Sequence, residues 1–249
     1  MEKDLSWMKE HRVAHRGLHD NKVYPENSLK AYQNAVDYGY DIEMDVWLTD
    51  SNVLIMHHDR NLKRTANLDI KATKLDTNNL TQYKLFGTDE SVPLFEDMLK
   101  VVNGKVGLII EIKPTIRVKD TCEMVMKHLE GYKGKYCIES FDLNVVNYMH
   151  KHFPYVILGQ LYDHVWWQKW MAKGFKQYKK VNFLAICIKN THEKYYQKIR
   201  KNCKDKVFVT WTIRTPEDQA KAIATCDNYI FETNIKKEGN IEPPDPVIK

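Results

Sequence analysis

The chain has 249 residues, 43% of them hydrophobic and 29% charged, with a net charge of +5. Those are the proportions of an ordinary globular protein whose length one large α/β core can absorb. The small positive surplus is too weak to argue for nucleic acid, and no apolar run approaches the ~18–20 residues that a membrane-spanning helix needs. The charge suits a small anionic substrate or a weak contact with an anionic membrane surface. Five scattered cysteines without a Cys-x-x-Cys pair, and a charged first segment without an apolar stretch, point to reduced thiols and a cytoplasmic location.

In chain order, β-rich runs fall at 13–15, 42–48, 53–57, 106–112, 136–140, 156–161, 183–188, 207–213 and 228–232. Helical runs lie between most of them, at 28–38, 94–102, 117–129, 143–151, 165–178, 193–203 and 216–225. Asn27 or Ser28 can cap the first helix. Thr215-Pro216-Glu217-Asp218 offers the last one a cap, a proline at its first position and acids in its first turn. Strands alternating with helices at this spacing imply a parallel sheet with right-handed crossovers.

A (β/α)8 barrel of the TIM type needs one strand fewer than this. Only Thr49-Asp50-Ser51-Asn52 separates the second and third runs, too few residues for a parallel crossover, so these two must form an antiparallel hairpin arm. With Asp50 and Ser51 as a two-residue loop, residue 43 faces residue 58, and His58 rather than His57 comes back beside Glu43. The expectation is one barrel domain over residues 1–249. Residues 60–91, weakly periodic and rich in Asn, Thr and Asp, form a small cap over the site that carries substrate choice.

The chemistry gathers where the barrel strands end. In Ile42-Glu43-Met44-Asp45-Val46, alternation sends both acids to one face, towards the barrel interior. Two such carboxylates repel unless a positive charge lies between them. The apolar strand 108–112 likewise ends on Glu111, with Lys113 two residues on. Three acids from two strands thus converge on the C-terminal rim, where barrel enzymes keep their active sites. Carboxylate oxygens suit a hard divalent cation, Mg²⁺ or Ca²⁺. His15 and His58 reach the same rim and can divide acid and base duties, while Arg16 and Lys113 supply the fixed positive charge that suits a phosphate. His11, His19, His128, His150, His152, His164 and His192 read as packed or surface residues. The aromatic segment Val165-Trp166-Trp167-Gln168-Lys169-Trp170-Met171 reads as a helix packed on the sheet, with a lipid contact as the alternative.

These residues resemble a known family. Ala14-His15-Arg16-Gly17, Pro25-Glu26-Asn27-Ser28, Asp41-Ile42-Glu43-Met44-Asp45-Val46, His58-Asp59, Val92-Pro93-Leu94-Phe95-Glu96-Asp97 and Ile110-Glu111-Ile112-Lys113 resemble the motifs of glycerophosphodiester phosphodiesterases, in order and at compatible spacing. Ser140-Phe141-Asp142 and Trp211-Thr212 are weaker echoes. The opening motif is closest to the small cytoplasmic bacterial members. The resemblance implies hydrolysis of glycerophosphodiesters to glycerol 3-phosphate and an alcohol, in lipid and glycerol metabolism. It implies His15 and His58 as the acid/base pair, Glu43, Asp45 and Glu111 as metal ligands, Arg16 and Lys113 on the phosphate, and Trp211 along the glycerol or leaving-group side. The hairpin turn and the ends of the last two strands (Ile213-Arg214 and Ile230-Phe231-Glu232-Thr233-Asn234) depart from the family's usual pattern, which bears on selectivity. Two alternatives are carried along: a lysophospholipase D or cyclising phospholipase of the sphingomyelinase D type, and a barrel that binds phosphorylated ligands without turnover.

Overall fold

The computed structural model describes residues 3–163, 177–233 and 242–248. The strands are β1 (Val13–His15), β2 (Asp41–Leu48), β3 (Leu54–Met56), β4 (Leu108–Ile112), β5 (Tyr136–Ser140), β6 (Leu158–Tyr162), β7 (Phe183–Cys187), β8 (Val207–Ile213) and β9 (Asn228–Phe231). Neighbours in the ring run β1-β9-β8-β7-β6-β5-β4-β2, and a further β1–β2 pairing closes it. Every pairing within the ring is parallel. The result is a closed eight-stranded (β/α) barrel, with β3 bonded outside the ring as the returning half of a hairpin.

The helices are α1 (Leu29–Tyr38), α2 (Lys63–Ala66), α3 (Phe95–Val102), α4 (Val118–Leu129), α5 (Leu143–His152), α6 (Lys194–Asn202) and α7 (Pro216–Thr225). Their ends follow local chemistry. The Ser28 hydroxyl accepts from Ala31 N–H at the start of α1, and Gly39, at φ 75°, ends it. Thr215 Oγ1 accepts from Asp218 N–H at the start of α7, where Pro216 lacks an N–H to lose. The expected helix at 165–178, with its tryptophans, lies outside the described residues apart from a 3-10 turn over Gln177–Lys180.

Two apolar layers hold the barrel. Outward-facing strand residues such as Ile42, Met44, Ile110, Ile138 and Leu184 pack under the helices with Tyr32, Phe95, Val125 and Met149. Inside, Trp7, Met8, Val13, Ile109, Cys137, Phe183, Val207, Val209 and Ile230 fill the N-terminal end of the barrel. Two glycines permit that filling. A Cβ on Gly107 would meet the Trp7 ring, and a Cβ on Gly159 would sit within the ring of Phe183. A third apolar cluster joins the hairpin residues Trp47 and Ile55 to Leu62, Ala72, Leu75, Tyr83, Leu85 and Val92. Residues 60–91 therefore fold onto the arm around an apolar kernel, pinned by the bridges Asn61–Lys71 and Lys84–Ser91.

The hairpin register differs from the expected one. Val46 pairs with Met56, Trp47 with Ile55 and Leu48 with Leu54, so residue 45 faces residue 57, one step off the predicted 43–58 pairing. The loop is longer than two residues: Thr49 N–H donates to Val53 O, and Asn52 takes the left-handed conformation at φ 63°. By alternation this register would select His57. The ladder ends at Met56, however, with one last bond from His57 N–H to Asp45 O. The His57 ring turns into the cap, its Nε2 2.9 Å from Thr65 Oγ1 and its Nδ1 2.8 Å from Asp59 O. His58, released from the ladder, faces the barrel mouth.

Candidate active site

Each barrel strand contributes to the mouth by the same alternation. Two residues beyond the apolar floor position, β1 presents His15, β4 presents Glu111, β5 presents Glu139, β8 presents Trp211 and β9 leads to Glu232. From β2 come Glu43 and Asp45. His15, Arg16, Glu43, His58, Glu111 and Trp211 all line one cleft of about 420 Å³. Six of the eight sequence-predicted residues therefore line one space; Asp45, 1% exposed, is buried against Arg16 and Lys113, and Lys113 borders the adjoining groove beside His58 and Glu111.

The carboxylates form the centre. Ligand oxygens of Glu43, Asp45 and Glu111 all lie within 4.8 Å of one another, and all three side chains are buried. Two cations face them. Lys113 Nζ is 3.2 Å from Asp45 Oδ1 and 2.8 Å from Glu111 Oε1, and Arg16 Nε is 3.4 Å from Asp45 Oδ2. Asp45 also accepts from Asn27 Nδ2 at 2.8 Å, and Asn27 is held in turn by the Tyr32 hydroxyl.

This arrangement splits the acids by environment. Burial opposes the charge on Asp45, but Lys113, His58, Arg16 and the Asn27 amide outweigh it and hold the carboxyl well below the usual range. Burial, together with Asp45, Glu111 and Glu139, pushes the Glu43 carboxyl well up. Glu111 is raised by burial too, against the pull of Lys113. Glu139, opposite Glu111 in the β4–β5 ladder, is raised well above the ordinary value by burial and by its acidic neighbours, and its Oε2 has no partner. Buried carboxylates that are crowded and partly unpaired are the donor set of a hard cation, so the residues present fit Mg²⁺ or Ca²⁺.

The two histidines stand on either side. His15 Nδ1 lies 3.1 Å from Glu232 Oε2 and its Nε2 3.8 Å from Glu43 Oε2. Burial, helped by Arg16, lowers the His15 imidazole to about 4, so the ring is neutral near pH 7. His58 Nδ1 is 2.7 Å from Asp59 Oδ1, and Asp59 is clamped by Arg64. Arg64 and Arg16 both bind the buried Glu26, which ties the loop before α1 to the cap.

Trp211 stands edge-on to Phe141, ring centroids 5.6 Å apart, as one apolar wall. Sequence reasoning overlooked Glu139, Glu232 and Asn27 as members of this constellation. For the first two the signal was available: Glu139 near the end of β5 and Glu232 just past β9 have the same inward parity as Glu111 and His15. Asn27 gave no such signal, because its φ of 56° and its inward amide depend on the fold of the loop.

Buried acids, cations and paired histidines at the C-terminal mouth of a parallel barrel define a hydrolase for phosphorylated substrates. The comparisons agree and go further. The model of the glycerophosphoryl diester phosphodiesterase family matches residues 15–229, and the chain belongs to that family. It is a phosphoric diester hydrolase acting on glycerophosphodiesters. A glycerophosphodiester phosphodiesterase of Caldanaerobacter subterraneus is 29% identical over 233 residues, covering 87% of this chain and 90% of its own. Human lysophospholipase D is 25% identical over 130 residues, 47% of this chain and 41% of its own. Among solved structures, an Oleispira antarctica phosphodiesterase in complex with the product sn-glycerol-3-phosphate superposes with a TM-score of 0.76. It is 20% identical and covers 89% of this chain and 92% of its own, a likeness of fold. No helix among the described residues is long and apolar enough to cross a membrane.

Proposed function

We propose that the protein converts glycerophosphodiesters to glycerol 3-phosphate and a free alcohol, with His15 and His58 as the acid–base pair and Glu43, Asp45 and Glu111 holding one Mg²⁺ or Ca²⁺. The observation that carries this reading is the single cleft bordered by His15, Glu43, His58 and Glu111 together. The cation, when bound, polarises a phosphoryl oxygen and offsets the charge that builds on it. Arg16 and Lys113 extend that positive field to the phosphate.

The histidines supply the proton traffic. Glu232 orients the His15 ring through Nδ1 and leaves Nε2 as the basic nitrogen. A neutral His15 takes the proton of the glycerol hydroxyl next to the phosphoester. That oxygen bonds to phosphorus, and the bond from phosphorus to the alcohol breaks. His58, oriented by Asp59, donates a proton to the departing oxygen. The roles then reverse: His58 takes a proton from water, which opens the cyclic phosphate, and His15 returns its proton to the glycerol oxygen. Phe141 and Trp211 provide a wall for the glycerol or the leaving group.

Residues 60–91 act as the cap of this domain. Arg60 and Asn61 border the groove that continues past His58, which supports a part in choosing the alcohol. The five free thiols suit a reducing compartment, in line with a cytoplasmic enzyme. The purified protein is expected to release glycerol 3-phosphate from glycerophosphocholine, to stop after EDTA and to recover with Mg²⁺ or Ca²⁺. Full activity in EDTA sinks the metal assignment. The partial match to human lysophospholipase D favours a second reading, lysolipid as substrate. Turnover of lysophosphatidylcholine with none of its deacylated counterpart would establish that reading over the first. Family membership sets aside the alternative of a barrel that only binds.

A further inference from the structure

One buried group in the mouth has no part in the reaction described above. His19 follows the β1 motif by four residues and is 3% exposed, yet neither ring nitrogen has a hydrogen-bond partner. Its neighbours are informative. Ligand atoms of His15, His19 and Glu232 all lie within 4.8 Å of one another, and all three side chains are buried. An imidazole left wholly unpaired in the interior is uncommon, because its nitrogens give up water and receive nothing in return.

We propose that His15, His19 and Glu232 form a second metal site, selective for Zn²⁺ or a similar borderline ion, whose occupation switches the enzyme off. The donor set decides the ion. Two imidazoles and a carboxylate suit zinc, with a water completing a tetrahedron, whereas the neighbouring site of three carboxylates suits a hard cation. The spacing is compatible. Two ligand atoms each about 2.1 Å from one zinc at the tetrahedral angle stand roughly 3.4 Å apart, and His15 Nδ1 is 3.1 Å from Glu232 Oε2. Arg214, which now reaches the same Glu232 oxygen at 2.8 Å, is half exposed and can swing out to solvent when the ion enters.

Inhibition follows from the chemistry of one ring. A neutral imidazole has one lone pair and one N–H. If Nδ1 of His15 gives its lone pair to zinc, Nε2 carries the hydrogen and cannot accept the substrate's proton. This coupling rests on the reading of His15 as the base; the existence of the site does not.

The test uses the full chain, stripped with chelator and reloaded with millimolar Mg²⁺, titrated with Zn²⁺ against a chromophoric zinc chelator while turnover is followed. One Zn²⁺ per chain should bind without displacing Mg²⁺, with turnover falling in proportion. His19→Ala and His19→Gln should bind zinc at least about 100-fold more weakly, keep the Mg²⁺-supported rate and resist inhibition. Co²⁺ in place of zinc should give a tetrahedral visible band that both variants lose. Two variants guard against one failing to fold. Zinc binding that Mg²⁺ competes away and that His19 substitution leaves unchanged overturns the site, as does no binding at all. Zinc binding lost in the His19 variants but without inhibition overturns the coupling. If His15→Ala then also proves fully active, the fault lies in the catalytic reading, and the metal site stands.

Discussion

The floor and the mouth of the barrel are made by the same strands two residues apart. β1 gives Val13 to the floor and His15 to the mouth, β4 gives Ile109 and then Glu111, β5 gives Cys137 and then Glu139, and β8 gives Val209 and then Trp211. The β2–β4 and β4–β5 ladders are continuous across the change, while β8–β9 shifts register between Thr210 and Ile213. The floor is packed by Trp7 and Phe183 so closely that Gly107 and Gly159 cannot bear a Cβ. The carboxylates of the mouth are equally buried, and one oxygen of Glu139 lacks a hydrogen-bond partner. Identical secondary structure therefore serves opposite ends: the floor adds stability, and the mouth spends some of it to hold charges where a cation and a phosphate can use them.

The largest break in this comparison should come from the histidines. His15→Ala and His58→Ala should each lower kcat by about 10²–10⁴-fold, the usual contribution of positioned acid–base groups. The thermal midpoint should fall little in either variant. A variant that keeps more than a tenth of the wild-type rate removes that histidine from the pair. His57→Gln sharpens the contrast, since its ring serves the cap through Thr65 and Asp59. It should lose stability and keep the rate per folded molecule.

The converse test is at the floor. Trp7 is 4% exposed and closes the N-terminal end over Gly107. Trp7→Ala should cost about 3–5 kcal/mol in urea unfolding, as large-to-small changes of a buried aromatic do. Turnover per folded molecule should change by less than about threefold at saturating substrate. A large kcat loss in a still-folded Trp7 variant would show that floor and mouth are coupled.

How much of this could be read from the sequence follows the same divide. Strand and helix positions are carried by local periodicity, and the described elements lie within a residue or two of their expected places. Glu43, Asp45 and Glu111 were legible because two acids at i, i+2 and a lone acid after an apolar run stand out. Glu139 and Glu232 carry the same parity, and that signal could have found them. The hairpin register was not legible, because one more loop residue, with Asn52 left-handed, shifts every partner. His58 reached the mouth by a different cause from the one expected: the ladder stops at Met56 and the chain turns. The unpaired state of His19 depends on tertiary neighbours and has no sequence signature.

Glu139 offers a smaller and more diagnostic effect. Its carboxyl is pushed up by burial and by Glu111 and Asp45, so its ionisation costs stability as pH rises above the ordinary carboxylate range. Glu139→Gln keeps the shape and removes that cost. The metal-free protein should gain about 1–3 kcal/mol at pH 8, the scale of a relieved buried polar group. A loss of stability would mean that Glu139 has a cation partner when ionised.

The smallest effect compares an acid beside the floor with an acid of the rim. Asp41 is 3% exposed, and its Oδ1 accepts from Gly107 N–H at 2.6 Å. Burial outweighs that bond and raises its carboxyl from 3.8 to about 6. A folded value above the unfolded one means that stability is present below pH 4 and is lost as pH rises through 6. Glu26 has the opposite sign. Burial opposes its charge, but hydrogen bonds from Arg64 and the charge of Arg16 prevail and hold it well below the usual range. Its contribution is present above about pH 4.5 and is lost as pH falls. Asp41→Asn keeps the acceptor for Gly107 and should flatten the decline between pH 4 and 6. The net gain at pH 7 should be about 1 kcal/mol. That is less than the ~3 kcal/mol of the ionisation equilibrium alone, because the new amide hydrogens would be buried without partners. Glu26→Gln should instead remove stability at pH 7 and flatten the decline below about pH 4.5. Unfolding measured from pH 2 to 8 in both variants reads the two slopes directly; slopes of the same sign would mean that floor and rim do not differ in how they hold charge.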